Sequence, residues 1–196
     1  MKVPLRDQIT NYDCGPTSVL NGLSRLFERH EIPPVVMRHV TNCCMDWFDD
    51  EGKLGRRGTT HAAMGYVAGW LRQIGECGLM PLSCRYLTGE AVTLAPGSEL
   101  RQALDRGASV VAFIDLDGWH YILITAAEGD KVYAWDPWRF YIFIKNSTKA
   151  AIDTALKEYD EIYTSDSVFK YVTGDVPETA WNYAELIWLI KLTKML

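Results

Sequence analysis

The sequence predicts an α+β fold, with a helical front half packed on an antiparallel sheet. Two observations carry it. Up to about residue 107, apolar residues recur at helical spacing between Gly and Pro stops. From residue 109 the period drops to short runs rich in β-branched and aromatic residues, separated by turn signals. Runs of helices followed by runs of strands give α+β rather than an alternating α/β order. The 196 residues suit one domain over 1–196, and no repeat or Gly/Ser-rich linker divides them.

The first helix is predicted over 17–30. Val19, Leu20, Leu23, Leu26 and Phe27 fall on one face, Pro16 fits the first turn, and "EIPP" (31–34) stops it. Residues 35–48 are predicted as partly helical, and the Gly-punctuated "DDEGKLGRRG" (49–58) as a charged loop. Thr60 N-caps a helix carrying Met64, Val67, Ala68, Leu71 and Ile74, with Gly75 at its C-cap. A shorter helix over 98–107 runs from a Ser98 cap to a Gly107 stop. Four strands follow, over 109–115, 119–126, 131–136 and 139–144, punctuated by Gly118, "EGD" (128–130) and Pro137. A helix is expected over 147–159, while 160–183 gives no clear pattern. The stretch "AELIWLIKLTKML" (184–196) is too short and too charged to span a bilayer, and reads as a terminal strand or amphipathic helix.

Composition narrows the function. Hydrophobic residues at 48% and charged residues at 23% are ordinary globular values. The formal charge of -5, without any Lys/Arg run, predicts no nucleic-acid partner. No apolar signal region opens the chain, so neither export nor membrane insertion is expected. The five cysteines are an odd number, which fits free thiols in a reducing, cytoplasmic setting better than a disulfide framework. Cys43 and Cys44 are adjacent, Cys77 and Cys84 are seven apart, and neither C-x-x-C nor H-x-x-x-H occurs. No metal site is therefore expected, and no organic cofactor is called for. Oligomeric state is not legible at this level.

One cysteine sits where chemistry is possible. Cys14 lies at the entrance of the first predicted helix, where unpaired N–H groups and the positive end of the dipole favour a thiolate. The competing reading is a packing thiol, since free cysteine is among the most buried residue types. A nucleophilic thiol needs an imidazole, itself oriented by a third group. Of the four histidines, His30 ends a helix, and His39 and His61 lie in or near helices with no partner evident in sequence. His120 starts a strand beside a turn. If 119–126 and 131–136 pair about Gly129, position 120 lies opposite 138 and diagonal to 136, so Asp136 shares the face of His120. A one-residue slip would reverse that face. The Cys14 N–H and the Gln8 side-chain amide are candidate donors to an oxyanion.

These residues belong to a recognisable pattern. "DQITNYDCGPTSVLNGL" (7–23) resembles the signature of papain-like cysteine peptidases of the bacteriocin-processing type, which include the double-glycine leader peptidase domains of peptide exporters. "GTT" (58–60) resembles that family's next block, and residues 100–138, with Gly-x-His and Asp-Pro on a hairpin, its closing block. The likeness covers most of 4–144. Residues 31–57 and 145–196 lie outside it, the latter expected to pack on the domain as an extension. Without membrane-spanning or ATP-binding segments, the chain resembles the stand-alone relatives. The resemblance implies a papain-like fold, with Cys14 as nucleophile, His120 as base, Asp136 as orienting acid and Gln8 as oxyanion donor. It also implies a peptide or protein substrate cut through an acyl-enzyme. Two alternatives stay open: transfer of the acyl group to an amine, as in the phytochelatin synthases of the same superfamily, and a catalytically silent binding module.

Overall fold

The computed structural model describes residues 5–115, 119–128, 131–138 and 186–191. Among them are four α-helices: α1 (Cys14–Leu26), α2 (Pro34–Cys43), α3 (His61–Glu76) and α4 (Glu99–Asp105). The sheet has five strands, β1 (Leu82–Leu87), β2 (Ser109–Asp115), β3 (Trp119–Glu128), β4 (Lys131–Trp135) and β5 (Leu186–Lys191). Their order is β1-β5-β2-β3-β4, and every neighbouring pair is antiparallel. The class is α+β, as the change of period predicts. The strand expected over 139–144 and the helix over 147–159 lie outside the described residues.

Helix α1 begins three residues before its periodic signal, so Cys14 is part of its first turn and Asp13 is the N-cap. It also ends earlier than expected. Phe27 is extended yet fully buried, and a reciprocal Glu28–Glu31 capping box starts a separate 3-10 turn over Arg29–Glu31. The apolar rhythm continues past Leu26 because the core continues, not the helix. Both stretches of α1 are fastened to the sheet. Ser18 Oγ donates to the Tyr121 carbonyl at 3.0 Å. The Arg25 guanidinium donates to the carbonyls of Gly107 (2.9 Å), Ala108 (3.2 Å) and Thr125 (3.0 Å). Burial pulls that guanidinium below its ordinary pKa. Such anchoring fixes where the helix entrance, and so Cys14, meets the strands.

Thr60 caps α3 as predicted, its hydroxyl accepting from the Ala63 N–H at 3.1 Å. Gly75 does not stop the helix: α3 runs through it to Glu76, and Gly78 takes the positive φ of 72° beyond the cap at Cys77. A Cβ at position 75 would fall on the Leu82 carbonyl, so this glycine permits the close approach of β1 to α3. Helix α4 keeps both predicted signals, with Ser98 accepting from the Arg101 N–H and Gly107 at φ 82°.

Two apolar layers cover the sheet. Val111, Phe113 and Leu123 join Val19, Leu23, Val67 and Leu71 of α1 and α3. Val110, Ile114, Ile122 and Ile124 join Leu100 and Leu104 of α4. The period of two along β2 and β3 thus feeds opposite layers. The stretch beyond 184 supplies β5, which lies between β1 and β2 and pairs with both. Residues past the motif-bearing part of the chain therefore form an inner strand. Among the described residues, no helix is long and apolar enough to cross a membrane.

Candidate active site

The β3–β4 hairpin brings His120 and Asp136 together. Near the turn the strands pair as Glu128↔Lys131, Ala127↔Val132 and Ala126↔Tyr133. That register, continued straight, would set position 120 opposite 139. A bulge between Ile124 and Ala126 moves it by one, to Ile124↔Ala134 and Leu123↔Trp135. Position 120 then faces 138, and the Asp136 carboxylate reaches it diagonally: His120 Nε2 and Asp136 Oδ1 are 2.7 Å apart. The same Oδ1 accepts from the Trp138 N–H at 2.7 Å, which holds the carboxylate across the Asp-Pro turn.

Cys14, only 8% exposed, lies at the mouth of α1, close enough to the His120 ring to favour its charged form. With Nε2 on the carboxylate, Nδ1 is the nitrogen left for sulfur. Burial pushes the imidazole pKa down, but the hydrogen bonds and charges of Asp136 and Cys14 outweigh it and raise it to about 10. The Asp136 carboxylate and the Cys14 sulfur thus favour the imidazolium form of His120.

The helix entrance is shaped by neighbours that the motif alone does not reveal. A Cβ on Gly15 would collide with the Thr59 side chain, whose hydroxyl donates to the Cys44 carbonyl. Asp46 accepts from the Thr60 N–H at 2.9 Å, tying the 46–60 segment to the start of α3. The "GTT" block is thus the wall against which α1 begins, which is why the residue after Cys14 is a glycine.

Gln8 lies on a segment docked along α1 and the hairpin end. The Asn21 side chain exchanges two 2.8 Å hydrogen bonds with the Arg6 backbone, and the Gln8 N–H donates to the Pro137 carbonyl at 3.0 Å. The Gln8 backbone is thereby fixed one residue from Asp136 across the interface. Its Nε2 donates to the Thr10 carbonyl at 2.7 Å, while Oε1 is buried and makes no hydrogen bond. A cleft of about 330 Å³ opens beside it, lined by Gln8, Thr10, Pro137 and Trp138 among others. Asp13, a residue with no predicted role, folds its carboxylate back onto the loop at Ile9 and Thr10.

Among the other thiols and imidazoles, Cys44 and Cys84 are buried in the core, and His39 and His61 pack on aromatic rings. Burial pushes Cys44 and Cys84 up to about 12, and burial followed by Asp46 raises Cys43. His39 stacks on Trp70 at 4.0 Å, with its Nε2 3.6 Å from Cys43 Sγ. His61 sets its ring edge-on to Phe113 at 4.7 Å. Among the described residues, no three His, Cys, Asp or Glu side chains gather as a metal site.

No family model and no curated protein matches the chain. Solved structures do. The peptidase domain of Streptococcus ComA, a bifunctional ABC transporter involved in quorum sensing, is similar at 13% identity and TM-score 0.45, over 95% of this chain and 97% of that one. A double glycine motif protease from an AMS/PCAT transporter, solved with a leader peptide, is similar at 18% identity and TM-score 0.41, over 98% and 93%. A Bacillus anthracis protein named as a C39-like peptidase is similar at 16% identity and TM-score 0.47, over 95% and 94%.

Proposed function

We propose that the protein is a papain-like cysteine peptidase that hydrolyses a peptide or isopeptide bond through a Cys14 acyl-enzyme. The observation that carries this reading is the part-buried His120 ring held by the Asp136 carboxylate at 2.7 Å, with Cys14 beside it at the mouth of α1. Cys14 sulfur, as thiolate, attacks the substrate carbonyl carbon and a C–S bond forms. The oxyanion falls to the Cys14 N–H at the entrance of α1 and to the Gln8 amide. As the C–N bond breaks, His120 passes its proton to the leaving amine. Neutral His120 then takes a proton from water, hydroxide oxygen attacks the thioester, and the C–S bond breaks. The acid leaves, and the thiolate–imidazolium pair is restored. Asp136 fixes the tautomer and stabilises the imidazolium, without itself taking the proton.

Alkylation of the native chain by iodoacetamide at pH 7, read by peptide mass spectrometry, tests this. Cys77 is the internal reference, since it is free and exposed. Cys14 is expected to react at least about tenfold faster than Cys77, and His120→Ala to remove that advantage. If Cys14 reacts no faster than Cys77 and His120→Ala changes nothing, the thiolate–imidazolium reading is wrong. Where Cys14 shows the expected advantage, acyl adducts trapped on it from a lysate name the substrate.

A further inference from the structure

We infer that Asp13 is a positioning residue for the oxyanion donor, acting on the Gln8 amide through the Thr10 carbonyl. This rests on the reading of Cys14 as the nucleophile. An Asp at an N-cap ordinarily accepts from the first free N–H groups of its helix. Asp13 occupies the N-cap of α1 and makes no such bond. Both its oxygens turn back instead. Oδ2 accepts from the Ile9 N–H at 3.0 Å, and Oδ1 from the Thr10 N–H and the Thr10 hydroxyl, each at 2.7 Å. The Thr10 hydroxyl in turn accepts from the Tyr12 N–H at 3.3 Å. A loop whose Ile9 is 93% exposed has no core to hold it, so one carboxylate sets its shape.

That shape reaches Gln8. The Thr10 carbonyl, fixed by Asp13, accepts from Gln8 Nε2 at 2.7 Å. The opposite placement of the amide would set Oε1 against that carbonyl, two acceptors face to face. A carboxamide carries two N–H groups in one plane, so binding one to Thr10 sets the direction of the other. The Gln8 backbone is already anchored on Pro137. The amide is therefore held at both its root and its tip, and the second N–H is the one offered to an oxyanion. Asp13 does for Gln8, at one remove, what Asp136 does for His120.

The test separates reactions that build an oxyanion from one that does not. Acylation of Cys14 by p-nitrophenyl acetate passes through a tetrahedral oxyanion, whereas alkylation by iodoacetamide displaces iodide at carbon and forms none. Loss of a full oxyanion donor slows acyl transfer by about 100- to 1,000-fold, so a donor left in place but misaimed should lose about tenfold. Asp13→Ala is expected to slow Cys14 acylation by about tenfold while leaving its alkylation within about twofold of wild type. Asp13→Asn keeps an acceptor for the Thr10 N–H, should fall between the two, and serves if the alanine variant folds poorly. In a Gln8→Ala background, Asp13→Ala should add nothing further. An undiminished Asp13→Ala effect in that background, or an equal loss of alkylation, overturns the assignment while leaving the nucleophile intact. A wild type in which Cys14 takes neither reagent faster than Cys77 overturns both readings.

Discussion

His120 keeps its proton inside the protein because two acceptors face it. An imidazole moved from water into a buried site loses hydration of its charged form, and burial alone would make it neutral. The Asp136 carboxylate and Cys14 sulfur reverse that balance and raise its pKa to about 10, against about 6.5 in an unfolded chain. At the His120 site the native state therefore holds a proton that the unfolded state lacks between those limits. Stability contributed by His120 is fully present below pH 6.5 and is lost as pH rises through about 10. In urea unfolding across pH 6 to 11, the advantage of wild type over His120→Gln should shrink, at a slope of at most about 1.4 kcal/mol per pH unit. A constant difference across that range would mean that the imidazole is neutral in the fold. The candidate thiol and imidazole could be picked out because their chemistry is scarce, five cysteines and four histidines in this chain. Asp13 was not readable, because its bonds go to backbone groups whose conformation no side-chain pattern encodes.

Within α3, two glycines of the same helix have opposite reasons to exist. Nothing lies within 4 Å of a Cβ built on Gly69, whereas one on Gly75 would meet the backbone carbonyl of Leu82. Ala at a helical position is favoured over Gly by about 1 kcal/mol. Gly69→Ala should accordingly stabilise the protein by about 0.5–1 kcal/mol. Gly75→Ala gains the same propensity but must push β1 away from α3, and overpacking against backbone costs about 1–3 kcal/mol or more. Chemical denaturation of the two variants should show shifts of opposite sign, and a stabilised Gly75→Ala would mean that α3 and β1 do not meet so closely. Sequence alone cannot tell these glycines apart, and it reads Gly75 as a stop because the clashing atom belongs to the next element. The hairpin shows the converse. A turn centred on Gly129 puts Asp136 on the correct face, yet the pairs nearest the turn are one register away, and only the bulge between Ile124 and Ala126 restores agreement. That bulge has no signature in "LITAAEGDKVYAW", so alternation alone would have left the outcome to chance.

Across the whole molecule, the sheet is closed by a strand far along the chain from its neighbours. β5 sits between β1 and β2, and without it α3 with β1 would be parted from the meander that carries His120 and Asp136. Helices α1, α3 and α4 and strands β2 to β4 were legible because their signals are local. β1 and the place of β5 were not, because a strand's partners are set by which apolar faces remain uncovered once the rest has packed. The inner position makes a sharp claim about backbone. Ile187 lies opposite Tyr86 on one side and Val111 on the other, so its N–H faces one neighbour or the other, never solvent. Proline there removes that donor and clashes with the ladder. Ile187→Pro should destabilise the fold by about 3 kcal/mol or more. The active site should suffer with it, since α1 packs on β2 and β3 while Thr59, just before α3, walls the helix entrance behind Cys14. Thermal unfolding and the rate of Cys14 alkylation should therefore fall together in this variant. A variant with unchanged stability and alkylation would show that β5 is not part of the sheet that holds the site.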